Sequence, residues 1–174
     1  MKRLIPAALV FVASFLAAPD ASAVIPEKGS IAIFAGVGPI FPFEGDYKVG
    51  FQLETGGEYY FTPALAVRAT VAYASAGAKG GSDVTIGSLE ASAVYTSHRG
   101  AWAPFVLGGV GIHTVDPPGD GPSQRFGVHF GAGTDYFLDR RTALTGQLTG
   151  RFVGEAGGRT SSYASVTFGV KYHF

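Results

Sequence analysis

No cysteine occurs anywhere in the 174 residues. For an exported chain of this size, that excludes a disulfide framework and any thiol chemistry. Charge is also scarce. Asp, Glu, Lys and Arg make up 15% of the chain, and thirteen basic residues against thirteen acidic ones leave a formal net charge of zero. Neither a nucleic-acid groove nor a basic membrane-surface patch is indicated by such a balance. Long apolar runs are missing as well. Beyond residue 23 no segment could form a transmembrane helix, which needs ~20 apolar residues, although 47% of the chain is hydrophobic. Those apolar residues must be distributed in another way.

The N-terminus reads as an export signal. Lys2 and Arg3 form a positive head, residues 4–18 are apolar apart from Pro6 and Ser14, and Ala21-Ser22-Ala23 supplies the small-x-small pattern of a cleavage site. The apolar run is too short for a comfortable membrane anchor. Residues 1–23 are therefore expected to be a cleaved signal peptide, and residues 24–174 a single domain.

That domain is rich in Gly, Ala, Val, Thr, Tyr and Phe, and it shows no convincing i, i+3, i+4 stripe. Runs of roughly ten alternating residues are separated by turn chemistry, which is the weak signature of a transmembrane β-barrel. Strands are expected near 30–40, 47–61, 65–76, 84–97, 102–114, 125–137, 142–153 and 162–174. In the last run Ala164, Val166, Phe168, Val170, Tyr172 and Phe174 share one face, opposite Ser165, Thr167, Gly169, Lys171 and His173. Val67, Ala69, Val71 and Tyr73 likewise oppose Arg68, Thr70, Ala72 and Ala74. A soluble sandwich could alternate in the same way.

Two features favour the membrane. Short turns at 62–64, 98–101 and 138–141 alternate with longer Gly/Pro/Asp-rich loops at 41–46, 77–83, 115–124 and 154–161, as in barrels with short periplasmic turns and longer external loops. Aromatic residues also gather at strand ends. Tyr59, Phe61, Tyr95, Trp102, Tyr136, Tyr172 and Phe174 lie at the short-turn end; Phe41, Phe43, Tyr47, Tyr73, Phe126, Phe152 and Tyr163 lie at the other. Two such girdles suit the lipid headgroup levels. In hydrocarbon an open sheet edge strands unpaired backbone groups, so the sheet must close. The expected fold is all-β: an eight-stranded, antiparallel, up-and-down transmembrane barrel.

Four stretches carry a resemblance. They are Gly56-Gly57-Glu58-Tyr59-Tyr60-Phe61-Thr62-Pro63; Ala103-Pro104-Phe105 running into Gly108-Gly109-Val110-Gly111; Gly131-Ala132-Gly133-Thr134-Asp135-Tyr136-Phe137-Leu138; and Phe168-Gly169-Val170-Lys171-Tyr172-His173-Phe174. In this order they resemble the OmpA-like family of small outer-membrane β-barrels, over essentially all of 28–174. The resemblance implies an outer-membrane location in a Gram-negative cell. It also implies that Phe168, Val170, Tyr172 and Phe174 form the C-terminal signal read by the barrel-assembly machinery. Some family members continue into a peptidoglycan-binding domain; with Phe174 as the last residue of this sequence, that function is not expected here.

An eight-stranded barrel is only wide enough to be filled by its own inward side chains. The expected inward set includes Glu54, Glu58, Glu90 and Asp135, with Arg68, Arg151, Lys171 and Arg125 as basic counterparts, and His129, His173, Gln52 and Gln147 between them. Opposite charges in one narrow lumen should pair, because unpaired buried charge is heavily penalised. This favours a structural network over a conducting file and excludes a general-diffusion porin. Paired carboxylates such as Glu54 and Glu58 read as network members rather than acid–base catalysts. The histidines lack metal-ligand spacing. Gly131-Ala132-Gly133 and Gly108-Gly109-Val110-Gly111 lack the helix of a nucleotide loop. The segment from Asp116 through Asp120 to Gly121 reads as a solvated turn rather than a cation site. No cofactor is expected.

Four functions compete: a non-enzymatic structural barrel; a lipid A-modifying enzyme; a loop-mediated adhesin or receptor; and a lateral route for small solutes where Pro104 interrupts its strand. The enzyme needs a Ser, a His and an orienting group together. The hydroxyls adjacent in sequence to histidines, Thr114 beside His113 and Ser97 beside His98, are not placed to provide this. The structural barrel is the expected reading. Its expected partners are outer-membrane lipid, lipopolysaccharide and the assembly machinery, with no nucleic acid, and it is expected to be monomeric.

Overall fold

The structure is a computed structural model that describes residues 26–43, 47–77, 83–116, 121–154 and 162–174. The segment read as an export signal, 1–23, and parts of all four longer loops lie outside these residues. Eight strands follow one another: β1 Ile31–Pro42, β2 Gly50–Tyr60, β3 Leu65–Gly77, β4 Asp83–Thr96, β5 Trp102–Asp116, β6 Ser123–Phe137, β7 Thr142–Val153 and β8 Tyr163–His173. Each pairs antiparallel with the next, and β1 pairs with β8 to close the barrel. Closure leaves every strand flanked on both sides, the arrangement that satisfies backbone polar groups where no water is available.

Period-two alternation decides which side chains face outward. In β1–β4 the even-numbered residues point inward, and in β5–β8 the odd-numbered ones do. Val71 and Leu89 are 56% and 59% exposed, whereas their chain neighbours Thr70 and Glu90 are each 4% exposed. The outer surface is therefore apolar and the interior largely polar, the inverse of a soluble barrel. At the closing seam the register runs from Ala32 opposite His173 to Pro42 opposite Tyr163. Gly169 lies on this seam, and a Cβ there would come within 2.0 Å of the Ala35 carbonyl oxygen. Only glycine permits that approach.

Connections of four or five residues, 61–64, 97–101 and 138–141, join strands at one end, hereafter the turn end. Gly100, with φ 61°, supplies the left-handed residue of the middle turn. At the loop end β5 and β6 run on to Asp116 and back from Ser123, so strand takes up part of the expected 115–124 loop. β2 starts at Gly50 rather than 47, and Tyr47 makes only a single bridge.

The turn-end girdle is outward: Tyr59 packs edge-on against Phe61, Tyr172 against Phe174, and the Trp102 and Tyr136 rings lie 4.7 Å apart. At the loop end Phe41, Phe43, Tyr73, Phe126 and Phe152 are exposed, but Tyr163 is not. It shares the odd parity of Ser165 and Thr167 on β8 and is buried inside the barrel. Tyr47 is half-buried against the same interior cluster. Both depart from the expected girdle: Tyr163 because strand parity sends it inward, and Tyr47 because it precedes β2 and packs against the loop-end interior. The expected interruption at Pro104 is also absent. Pro104 stands opposite Thr134 in an unbroken β5–β6 ladder, and its carbonyl accepts the Ser97 amide.

Candidate functional site: the lumen network

The inward residues form three layers along the barrel axis. At the turn end Tyr60, Phe105, Val94 and Leu107 pack with Ala32 and Ala66. Phe137 joins Ala103 and Ala143, and the His173 ring lies 5.3 Å from Phe137 and 5.9 Å from Tyr60. At the loop end Ile40, Val84, Ile86, Val115 and Tyr163 form an apolar cluster. Neither cap was anticipated, because a charge-based reading of the inward face overlooks its apolar members. The charged groups lie between the caps.

Glu58 is the hub of the turn-end half. It accepts hydrogen bonds from Arg68 Nε at 2.7 Å, Lys171 Nζ at 3.1 Å and the Tyr60 hydroxyl at 2.6 Å. Lys171 also donates to Asp135 at 2.6 Å. Arg68 is clamped between rings, 4.7 Å from the Phe34 centroid and 5.0 Å from that of Phe105. Such cation–π contacts stabilise a desolvated guanidinium by roughly 2 kcal/mol. The Phe105 ring fits because Gly133 lacks a side chain; a Cβ there would lie 2.5 Å from the ring's Cζ.

Arg151 organises the loop-end half. Its Nε and Nη2 reach the two oxygens of Glu90 at 2.7 and 3.2 Å, a fork-on-fork pairing that a lysine could not make. Its Nη1 donates to Ser165 at 2.7 Å, and Nη2 lies 3.4 Å from Glu54. Glu54 further accepts from Gln52 and Thr167, each at 2.7 Å. Gln147 joins the halves: its carbonyl accepts from Arg68 Nη1, and its amide donates to Glu54. One continuous network thus runs from Asp135 to Glu90, containing all seven charged residues singled out from the sequence. Arg125 lies apart, half-buried near the loop end, with Nε donating to Ser123.

A second arrangement was not legible beforehand. Ser92 Oγ lies 2.7 Å from His129 Nε2, and His129 Nδ1 is 3.9 Å from Glu90. Ser88 Oγ similarly lies 2.8 Å from His113 Nδ1. A search among sequence neighbours, Thr114 by His113 and Ser97 by His98, misses both pairs, because each partner comes from a different strand. Parity alone marks Ser92 and His129 as inward; their meeting depends on three-dimensional register. The Ser–His–Glu order matches the roles of a nucleophile, base and orienter. Yet the adjoining cavity, lined by Ser92, His129, Thr149, Arg151 and Gln147 among others, measures about 10 Å³. That is room for about one water molecule.

The family model described as "Outer membrane protein beta-barrel domain" matches residues 7–174. The chain belongs to this family. It is an outer-membrane β-barrel, and its apolar exterior is the lipid-facing surface. Among solved structures it is similar to Neisserial surface protein A, with a TM-score of 0.64 and 17% identity over 85% of this chain and 98% of that one. It is also similar to the N-terminal β-barrel domain of Pseudomonas aeruginosa OprF, with a TM-score of 0.61 and 17% identity over 84% and 98%. The outer membrane enzyme PagL shares the fold too, with a TM-score of 0.54 and 18% identity over 81% and 98%. At these identities the likeness concerns fold alone. Among curated proteins, none matches the chain in sequence.

Proposed function

We propose that this outer-membrane barrel is a non-enzymatic structural protein, which fills and stabilises the bilayer around a lumen plugged by its own side chains. The observation that carries this reading is the unbroken network from Asp135 to Glu90, with an aromatic cap on one side and an apolar cluster on the other. A conducting file would need water between its charged groups, and these groups are occupied with one another. Planar-bilayer recording of the purified barrel tests the reading. A silent baseline is expected after insertion, whereas stepwise conductance from single barrels would refute the plug.

One observation favours a second reading, hydrolysis: the Ser92–His129–Glu90 arrangement. Burial in the lumen argues against it, since Ser92 is 4% exposed and an acyl chain cannot enter a cavity of water size. Separate samples incubated with a fluorophosphonate probe and with lipopolysaccharide as substrate distinguish the two. The structural reading expects no labelling of Ser92 and no released acyl chains.

A further inference from the structure

The two ends of the barrel differ in charge. Strand ends and turns at the turn end contribute Lys28, Arg99, Arg140 and Arg141 against Glu27 and Asp139, a surplus of two positive charges. By sequence, the loop-side segments 41–49, 77–83, 116–125 and 154–161 carry six acidic and four basic residues. The three arginines at the turn end are all exposed. They also lie on one side of the rim. Arg99 closes the β4–β5 turn through paired backbone hydrogen bonds with Trp102. The Trp102 ring contacts Tyr136 on β6, and the Phe137 amide donates to the Ala101 carbonyl. Arg140 and Arg141 follow in the β6–β7 turn, with Arg141 Nη1 3.4 Å from the Tyr172 hydroxyl of β8. Asp139, the carboxylate in that turn, is engaged locally: its Oδ1 accepts the Arg141 and Thr142 amides at 2.7 and 2.8 Å.

Arginines therefore alternate with amphipathic rings from β4 to β8, just beyond the lipid-facing girdle. Rings at this level sit among headgroups, and guanidinium groups beside them meet phosphate oxygens with matching forked geometry. Short turns face the periplasm in outer-membrane barrels, which brings this rim to the inner, phospholipid leaflet. We propose that the arc Arg99–Trp102–Tyr136–Arg140–Arg141–Tyr172 is a binding surface for anionic phospholipid headgroups of the inner leaflet. It would gather these lipids around the turn end and so fix the depth and orientation of the barrel.

The chain contains one tryptophan, Trp102, and it stands within this arc, so its fluorescence reports locally. The full barrel is folded into phosphatidylcholine vesicles containing bromine-labelled phosphatidylglycerol or, in parallel, bromine-labelled phosphatidylcholine as quencher. At low salt, half-quenching is expected at about one-fifth of the mole fraction for phosphatidylglycerol, with the two lipids approaching parity near 0.5 M salt as screening sets in. The combined Arg99→Gln, Arg140→Gln, Arg141→Gln variant should lose the preference, while Lys48→Gln at the loop end should keep it. Equal quenching by both lipids in the unaltered protein at low salt overturns the proposal, and this arm does not depend on the variant folding. A preference that survives in the folded triple variant also overturns it. So does stronger competition by lipopolysaccharide than by phosphatidylglycerol, which would assign the rim to the other leaflet.

Discussion

At the scale of single residues, Glu58 and Gly133 show two ways in which the lumen is specified. Glu58 is 2% exposed and is shared by two cations and a phenol. Neutralising it leaves Arg68 and Lys171 desolvated without their common counter-charge, a situation that typically costs about 3–5 kcal/mol. Glu58→Gln is therefore expected to lower unfolding free energy by about that amount in urea titrations of the vesicle-embedded barrel. A loss under about 1 kcal/mol would show that Glu58 is not the hub. Gly133 acts by absence. Gly133→Ala would drive a methyl group into the Phe105 ring and disturb its clamp on Arg68, with an expected cost of about 1–3 kcal/mol. Part of that cost is the contact with the ring, so the same titration on a Phe105→Leu background should show a smaller effect, the remainder coming from the Gly146 carbonyl oxygen, also 2.5 Å from the added Cβ.

Strands add what no residue holds alone, a direction. On β3 Arg68, Thr70 and Ala72 point inward while Val67, Val71 and Tyr73 point to lipid. A charge placed near the bilayer midplane on the outer face costs about 2–4 kcal/mol for arginine. Val71→Arg should therefore reduce the folded fraction in vesicles far more than Thr70→Ser on the same strand, as read by protease protection. Equal losses would place Val71 off the lipid face. Phe168, Val170 and Tyr172 of β8 and Phe174 just beyond it lie along the outer surface, and the Phe174 amide donates to the Ile31 carbonyl across the seam. We propose that these four residues form the signal for the assembly machinery. Deletion of Phe174 is expected to lower outer-membrane levels several-fold while leaving secretion intact. Normal levels in fractionated membranes would count against it.

For the whole molecule the decisive event is closure. Each strand satisfies its backbone only when both neighbours are present, so the sheet gains little until β1 meets β8. Gly169 is one of two points where that meeting is tight, the other being Gly38 on β1, where an added Cβ would lie 1.8 Å from the Val166 carbonyl oxygen of β8. Gly169→Val should lower the temperature at which the barrel changes mobility on an unboiled gel, whereas Gly87→Val, where an added Cβ meets nothing within 4 Å, should change it little. A gel shift unaffected by Gly169→Val would mean that the seam relaxes without cost.

The architecture was legible because its signal is local. Alternation in runs such as Val166–Phe168–Val170–Tyr172 reports a strand and its two faces without reference to any partner, and the seven lumen charges follow from parity. Turn chemistry at 62–64, 98–101 and 138–141 then orders the strands into neighbours. Tyr163 shows the limit of this reading: its place near a strand end suggested the girdle, while its parity sent it inward. The sequence by itself thus determined the barrel, its inside-out polarity and the charged inventory of its lumen. Only the tertiary structure decided who meets whom within it: Gln147 bridging Arg68 to Glu54, Ser92 reaching His129, and rings from β1 and β5 closing over Arg68. The reason is physical. Facing is a property of each strand's own backbone, but contact across a lumen depends on the register of eight ladders at once, which no local pattern encodes.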